Sequence, residues 1–545
     1  MTAHQSNQAQ VVVVGGGPNG VTFANLLGQY GIPTLLIEKA PEILPYPRAV
    51  GMDDEALRLF QSVGLADDMI KDMIQNVPLR LFKANGECFA NIRPSVKAFG
   101  WWRRNIFMQQ LAERTLRDGL SRFPHVEMRL GHEVLALAQD DEGVTLTVRG
   151  PGEDGPTYAV RTPYVVAADG GRSPLREMLN VPLLGTTHPI KWLVVDVRNA
   201  HVASPCTALN CDPRRPNVNI YLPYNFRRWE FLVFPHEDAD AIAQPESVRR
   251  LLAPYVDNPD EIEIVRSRTY THHSRVAERF VVGRVALIGD AAHLTPPWVG
   301  QGLNAGLRDV GNLAWKLAGV LKGQLAQSVI ETYESERRRH ARAMIDLADA
   351  FGAMLMPTSR IKAFVRDAFF GSVARLPGVR EYVLQMRFKP MPSYEGPLVV
   401  AARKAGTVGT MFIQPDVEDE AGQRIKFDDA LGDWFAVVGW ECDPQERMSS
   451  RDLAFWRQLG ARFVRLSRSR SGAGREARLA SPNGTVCLED VDNALADWFE
   501  ARGGELVVLR PDRYVAMHGR FDELPAATRH LQASTTQSRE VAHAR

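Results

Sequence analysis

The stretch that most restricts the fold is VVVVGGGPNGVTFANLLGQYGIPTLLIEK, residues 11–39. Its four leading β-branched residues, Val11 to Val14, predict a short strand buried on both faces. Gly15, Gly17 and Gly20 follow with G-x-G-x-x-G spacing. The first permits a tight turn, the second admits a pyrophosphate against the backbone, and the third lets the next helix pack closely on the strand. Val21, Ala24 and Leu27 have helical spacing, and Gly31 is placed to end that helix. Thr34 to Ile37 predict a second strand, closed by Glu38, an acid about twenty positions on of the kind a ribose hydroxyl requires. A lone glycine pattern is weak; this order of elements specifies a βαβ unit with a dinucleotide pyrophosphate at a helix N-terminus. Which dinucleotide, nicotinamide or flavin, stays open at this point.

Two later motifs narrow the choice. YVVAADGGRSPLREML places Asp169-Gly170 at the end of an apolar strand, with Arg172, Ser173 and Arg176 behind it. RVALIGDAAHLTPPWVGQGLNAGLRDVGNLAWKL places Gly289-Asp290 at the end of another. A carboxylate at a strand's C-terminal edge can accept hydrogen bonds from ligand hydroxyls, and such edges are where open α/β sheets bind ligands. Gly300 and Gly302 let a backbone loop lie against a planar ring. Free N–H groups at the start of the helix that holds Asn304 can stabilise negative charge there. Each motif alone reads as a capped helix after a strand; together they do not.

Lys plus Arg number 65 against 64 for Asp plus Glu, so no global field draws the chain to nucleic acid or a membrane surface. MTAHQSNQAQ has no apolar segment like that of a signal peptide, and no apolar run approaches the ~20 residues of a membrane span. Five scattered cysteines (Cys88, Cys206, Cys211, Cys442, Cys487) without C-x-x-C spacing argue against a zinc site or disulfide framework, and a reducing cytoplasm is expected. Of the cysteines, only Cys206 and Cys211 stand close enough in sequence to consider as a pair.

The expected organisation is α/β with interruptions. Residues 1–184 read as the first part of a dinucleotide-binding domain. A helix capped by Asp53 or Asp54 covers EALRLFQSVG, and VEMRL and VTLTVRG are expected as inserted antiparallel strands. Residues 185–280 turn β-rich through WLVVDVRN, VNIYLP and WEFLVFP. Residues 281–390 return to the first domain and continue into long helices. After FKPMPSYEGP, residues 391–520 read as a small separate α/β unit, and residues 521–545 as a disordered polar tail.

The glycine motif, the DG pair at Asp169-Gly170 and the GD pair at Gly289-Asp290 together resemble the single-component, FAD-dependent aromatic hydroxylases, over nearly the whole chain. The C-terminal unit is similar to the thioredoxin-like tail of their phenol hydroxylase branch, with LRPDRYVAMHG as its typical ending. It lacks C-x-x-C, so a structural or oligomeric role is expected of it. Arg339, in YESERRRHA, stands where the family often has proline. The resemblance implies a Rossmann-like FAD-binding domain with an inserted β-sheet substrate domain. It implies tightly but non-covalently bound FAD and NADH or NADPH as a transient co-substrate; no second G-x-G-x-x-G is present to bind the latter. By the same resemblance Gly15, Gly17 and Gly20 flank the pyrophosphate and Glu38 holds the adenosine ribose. Asp290 takes the ribityl chain, Arg48 and Gln109 line the flavin, and Asp169 serves FAD and the nicotinamide approach. The implied reaction is transfer of one oxygen atom of O2, through a flavin C4a-hydroperoxide, to the carbon ortho to a phenol hydroxyl. The protein's own task is to orient and protect the flavin.

That chemistry demands exclusion of water and an acceptor for the phenol proton. Pro296, Pro297 and Trp298 lie where the family meets its substrate ring, Trp298 as an apolar wall and the prolines through carbonyl acceptors. His293 is a candidate base, weighed against a structural histidine at a helix start. For a substrate carboxylate the β-rich segment offers Arg227, Arg228, Tyr270, His272 and Arg275. Arginine suits it by its bidentate fork, and alternation allows only one of Arg227 and Arg228 to face the site. Solvated sheet charges are the plainer account of each. The expected catalytic set is Pro297, Trp298, Tyr270 and His293, with Arg228, His272 and Pro296 on the substrate and no metal. The expected partners are a phenolic acid and O2, without nucleic acid or membrane, and with a homodimer as the one protein partnership carried forward. Competing readings are a different phenol (resorcinol, a hydroxybenzoate, a polyketide), a flavin reductase, or a non-catalytic flavin-binding protein.

Overall fold

In the computed structural model, which describes residues 9–200, 202, 205–373, 377–400, 406–469 and 483–535, strand Val11–Val14 is buried along its whole length. It lies within a six-stranded sheet between two parallel neighbours, Thr34–Glu38 and Tyr164–Ala167. Helix Pro18–Gln29 follows with Gly17 as its N-cap, and the chain leaves it at Gly31, φ +71°. A Cβ on Gly20 would lie 1.9 Å from the Gly15 carbonyl oxygen, so only glycine allows this approach of helix to turn.

VEMRL departs from expectation. Val126–Leu130 pairs parallel with Thr34–Glu38 and forms an edge of the main sheet. Its period-two pattern arises because an edge strand is partly solvated, not because it belongs to an antiparallel insert. The insert is built from Glu133–Gln139, Val144–Arg149 and Thr157–Thr162, which form a three-stranded antiparallel sheet.

The substrate layer is an eight-stranded sheet dominated by Leu183–Arg198, Phe226–Val233 and Glu263–Ala277. Two of its strands, Leu79–Phe82 and Cys88–Ile92, come from the first sequence segment, so the layer is not a single insertion. Register fixes what one face presents. Tyr270 stands opposite Trp192, Glu230 opposite Val194 and Val218, and Arg228 opposite Asp196 and Ile220. Directly opposed residues share a face, so Tyr270, Glu230, Arg228, Val218 and Ile220 point the same way.

The C-terminal unit is a seven-stranded sheet in which Ala436–Trp440, Arg462–Arg468 and Val486–Asp490 run parallel. Leu506–Leu509 and Val515–Gly519 add on antiparallel, a thioredoxin-like arrangement. Two buried ion-pair groups join it to the rest. Arg58 grips Asp428 through two bonds of 2.7 Å, and Arg510 grips Glu336 at 2.7 and 2.9 Å, with Lys316 on the same carboxylate at 2.8 Å. Trp315 stands edge-on against Phe435 at 5.5 Å across the same seam. The expected polar tail needs correction for its first part. Leu524–Gln532 is a helix whose Leu524, Ala527, Thr528 and Leu531 are buried, an amphipathic face that polar composition concealed. Residues 536–545 lie outside the described residues. All five cysteines are free thiols, Cys206 and Cys211 included.

Candidate active site

The turns that end the strands of the main sheet meet the presented face of the substrate layer around one cavity of about 560 Å3. Gly17, Arg48, Gln109, Asp290, Gly300, Gly302 and Asn304 line it from the dinucleotide side. Glu230, Tyr270, His272, Pro297, Trp298 and Arg228 line it from the other.

The dinucleotide side is held by specific bonds. Gln109 Oε1 accepts from the backbone N–H of Arg48 (3.1 Å) and Ala49 (2.7 Å), fixing that loop as cavity wall. Arg48 reaches Asp290 across the cavity mouth at 3.2 Å. Asn304 accepts from Asp53 N–H and donates to the Gly300 carbonyl, which pins the open glycine loop to its helix. Glu38 accepts from Gly16 and Ala40 N–H, shaping the glycine turn. Gly289 is buried at φ +59°, and its N–H donates to Asp309. The carboxylate of Asp169 accepts from Ser173 Oγ and Leu175 N–H and so caps its own turn, while its neighbours Ala168 and Gly170 line the cavity.

These residues fit FAD. Helices Pro18–Gln29 and Gly302–Leu321 both begin without a side-chain cap and without an acid in the first turn, leaving free N–H donors for an anion. A Cβ at Gly17, Gly300 or Gly302 would meet no protein atom within 4 Å, so the open space beside each belongs to something other than the chain. Asn19 Oδ1 is buried beside this cradle and has no hydrogen-bond partner among the described residues.

On the substrate side three expectations are corrected. His293 does not reach the cavity. Its Nε2 lies 2.7 Å from Asp309 with the ring fully buried, because Asp309 also collects Gly289 N–H and Arg337 and needs donors on every side. Pro296 is buried behind the cavity wall, while Pro297 lines it and its carbonyl already accepts from Gly300 N–H. Arg228 lines the cavity but is committed: it pairs with buried Asp196 at 2.7 Å and donates to the carbonyls of Pro47 and Arg48. It positions the Arg48 loop. Arg227 points to the opposite face and donates to Asn219.

Tyr270 and Trp298 do meet. Trp298, Trp192 and His272 form an aromatic corner, with ring centroids 4.7 Å apart for the two tryptophans and 5.3 Å for Trp298 and His272. Burial, helped by His188 and His273, pushes His272 down to about 3, so it is a neutral ring at working pH. Tyr270 donates to Glu230 at 2.8 Å. Burial raises Glu230 above the usual carboxylate range, opposed by the Arg228 guanidinium, and burial together with Glu230 raises Tyr270 well above its ordinary value. Glu230 is absent from the sequence expectations, yet it lies two residues from Arg228 in FRRWEF, and strand alternation places it on the same face.

Residues 8–348 match the family model described as FAD binding domain, and residues 409–534 match the HcaD C-terminal domain. The chain is 66% identical over 542 residues to a 3-(3-hydroxy-phenyl)propionate/3-hydroxycinnamic acid hydroxylase of Burkholderia cenocepacia (strain HI2424), covering 99% of both chains. It is 43% identical to a protein of the same name from Escherichia coli (strain SMS-3-5 / SECEC), covering 94% of this chain and 92% of that one. Among solved structures, the flavin-dependent monooxygenase PieE in complex with FAD and substrate superposes with TM-score 0.76 at 21% identity, covering 97% and 99%. The p-nitrophenol 4-monooxygenase PnpA from Pseudomonas putida DLL-E4 superposes with TM-score 0.65 at 26% identity, covering 70% and 98%. A cradle shaped for a flavin and a sequence shared from end to end with such hydroxylases lead to one conclusion: the chain belongs to the FAD-dependent aromatic hydroxylases, and FAD is its cofactor.

Proposed function

We propose that the protein hydroxylates 3-(3-hydroxyphenyl)propionate to 3-(2,3-dihydroxyphenyl)propionate, and that the matching 3-hydroxycinnamic acid is a second substrate. End-to-end identity with hydroxylases of that name supports the reading. The observation that carries it is the Tyr270–Glu230 pair, set beside apolar and aromatic side chains such as Val218, Ile220 and Trp298 and the open Gly300–Gly302 loop. In the balanced reaction a ring C–H becomes C–OH, the second atom of O2 leaves as water, and NAD(P)H supplies two electrons. Bound FAD supplies the electron transfer and the activation of O2.

The chain's residues supply the rest. Tyr270 donates its hydroxyl hydrogen bond to Glu230, so its Oη lone pairs are free to accept from a phenol hydroxyl. A carboxylate raised by burial is a better proton sink behind that tyrosine than a solvated one. Trp298, Trp192 and His272 close one side of the ring against water, and Phe351 packs on Phe388 (4.9 Å) as further apolar lining. Asp290, Arg48 and Gln109 hold the flavin in this reading, and NADH or NADPH is its transient reductant.

A homodimer is part of the same proposal. Helix Arg360–Val373 exposes Ile361, Phe364, Val365 and Phe369 along one face, and light scattering of the purified protein tests it. Among the described residues no helix is long and apolar enough to cross a membrane, and a cytoplasmic location is proposed with it.

The test of function is NADH oxidation by the FAD-loaded protein with and without 3-(3-hydroxyphenyl)propionate, with the product weighed by mass spectrometry. Stimulation and a product heavier by one oxygen supports the reading. No stimulation by this acid, with another phenol active, removes the substrate and keeps the class.

A further inference from the structure

Four arginines line the cavity, and three of them are spoken for. Arg48 meets Asp290 at 3.2 Å, Arg103 meets Asp54 at 3.6 Å, and Arg228 meets Asp196 at 2.7 Å. Arg104 has no carboxylate within ion-pair distance among the described residues. Its side chain makes one protein bond there, from Nε to the carbonyl of Val77 at 3.2 Å, while the Val77 N–H donates back to the Arg104 carbonyl at 3.1 Å. The first bond holds the guanidinium at Nε and the second holds the Arg104 backbone, leaving the two Nη groups, the ends of the fork, for something else. The protein packed around its half-buried guanidinium, with no compensating acid, lowers the group to about 10. Arg104 is half-buried in this wall, and a partly desolvated charge without a partner favours a ligand that brings one.

The place of Arg104 is also specific. Val77 leads into strand Leu79–Phe82, and across the sheet Leu79 faces Thr207, Thr207 faces Ile220, and Ile220 faces Arg228, two residues from Glu230. Three strand spacings, about 14 Å, therefore separate the Arg104 end from the strand of Glu230, whose carboxylate Tyr270 reaches from two strands further on. The floor between them is mostly apolar: Leu79, Leu209, Val218 and Ile220 all line the cavity.

We infer that Arg104 is the carboxylate anchor of this site, taking the acid of a phenolic acid in its two Nη groups. The ring lies over Leu209, Val218 and Ile220, and the hydroxyl meets Tyr270. Arginine's planar fork matches a carboxylate through two parallel bonds, and such pairing supplies the charge this guanidinium lacks. The inference rests on the reading that the substrate is a phenolic acid and adds which residue selects for the acid.

The test compares wild type, Arg104→Met and Arg104→Lys, each loaded with FAD. The ligands are 3-(3-hydroxyphenyl)propionate and 3-propylphenol, which keeps the ring and chain but not the acid. Dissociation constants come from the flavin absorbance change, and coupling from product formed per NADH consumed. For Arg104→Met the preference for acid over 3-propylphenol falls roughly 10²-fold. For Arg104→Lys it falls less, since a point charge remains without the fork. Unchanged preference in Arg104→Met overturns the inference while leaving the proposed function intact. Loss of flavin from both variants also overturns it, marking Arg104 as a cofactor-holding residue. Failure of the wild type to bind the acid removes the proposed substrate and this anchor with it.

Discussion

Replacing Asp309 by asparagine removes one charge and nothing else from the shape of the protein, and the cost follows from who surrounds it. Asp309 is fully buried and accepts from Gly289 N–H at 3.0 Å, from His293 Nε2 at 2.7 Å and from Arg337 Nε at 2.8 Å. All three neighbours offer hydrogens. An asparagine presents one oxygen and one NH2, so whichever way it turns, its NH2 faces a donor. Arg337, buried to the same degree, also loses the charge that neutralises it. Leaving a buried cation without its partner costs about 3–5 kcal/mol. Because Gly289 is one of the bonded groups, the loss falls on the turn that carries Asp290 into the cavity. Asp309→Asn is therefore expected to unfold at lower urea and to release FAD more readily, with both followed on one sample by tryptophan and flavin fluorescence. An Asp309→Asn protein within about 1 kcal/mol of the parent, holding flavin with undiminished affinity, would refute this account of the turn.

Other residues make independent predictions. Glu230→Gln keeps an acceptor for Tyr270 but loses the proton sink, so product formation is expected to slow by roughly 10²-fold or more with flavin still bound; equal product per NADH and equal rate would remove Glu230 from the chemistry. Burial raises Asp54 to about 6, opposed by Lys389 and reinforced by Asp53 and Glu55. Its folded form thus holds the proton more tightly than the unfolded one, and stability attributable to it is present below about pH 4 and lost as pH rises through 6. Asp54→Asn is expected to gain on the order of 2–3 kcal/mol at pH 7.5 and almost nothing at pH 4, and an equal gain at both would contradict the assignment. Asp290→Ala is expected to fold yet lose FAD on dialysis, since it removes the acid that Arg48 meets at the cavity mouth; full flavin occupancy would count against its role.

The sequence carried the cofactor side of the site because glycine spacing and strand-end acids are local. Gly15, Gly17, Gly20, Gly289 and Asp290 can each be read from neighbours a few residues away. The substrate side is assembled across strands, and there single-residue reading failed in instructive ways. Arg228 looked like a carboxylate ligand until its partner Asp196, 32 residues earlier, was placed against it. His293 looked like a base until Asp309 claimed it. Arg104 attracted no notice because WWRRNIF shows no motif; only the pairing of every other cavity arginine makes it stand out. What was illegible was not residue type but who had already been bonded to whom.

The seam between the C-terminal unit and the flavin domain has a consequence for how such a chain can change over generations. Arg58 with Asp428, and Arg510 with Glu336 and Lys316, bury half of each pair on either side of the joint. Deleting the unit, or exchanging it for an unrelated one, would take from Arg58 its carboxylate and from the Lys316–Glu336 pair the arginine that completes it. A drift from acid to amide on one side exacts its cost before the other side can answer. The two parts are thereby obliged to travel as one inheritance, joined by charges that neither can change alone.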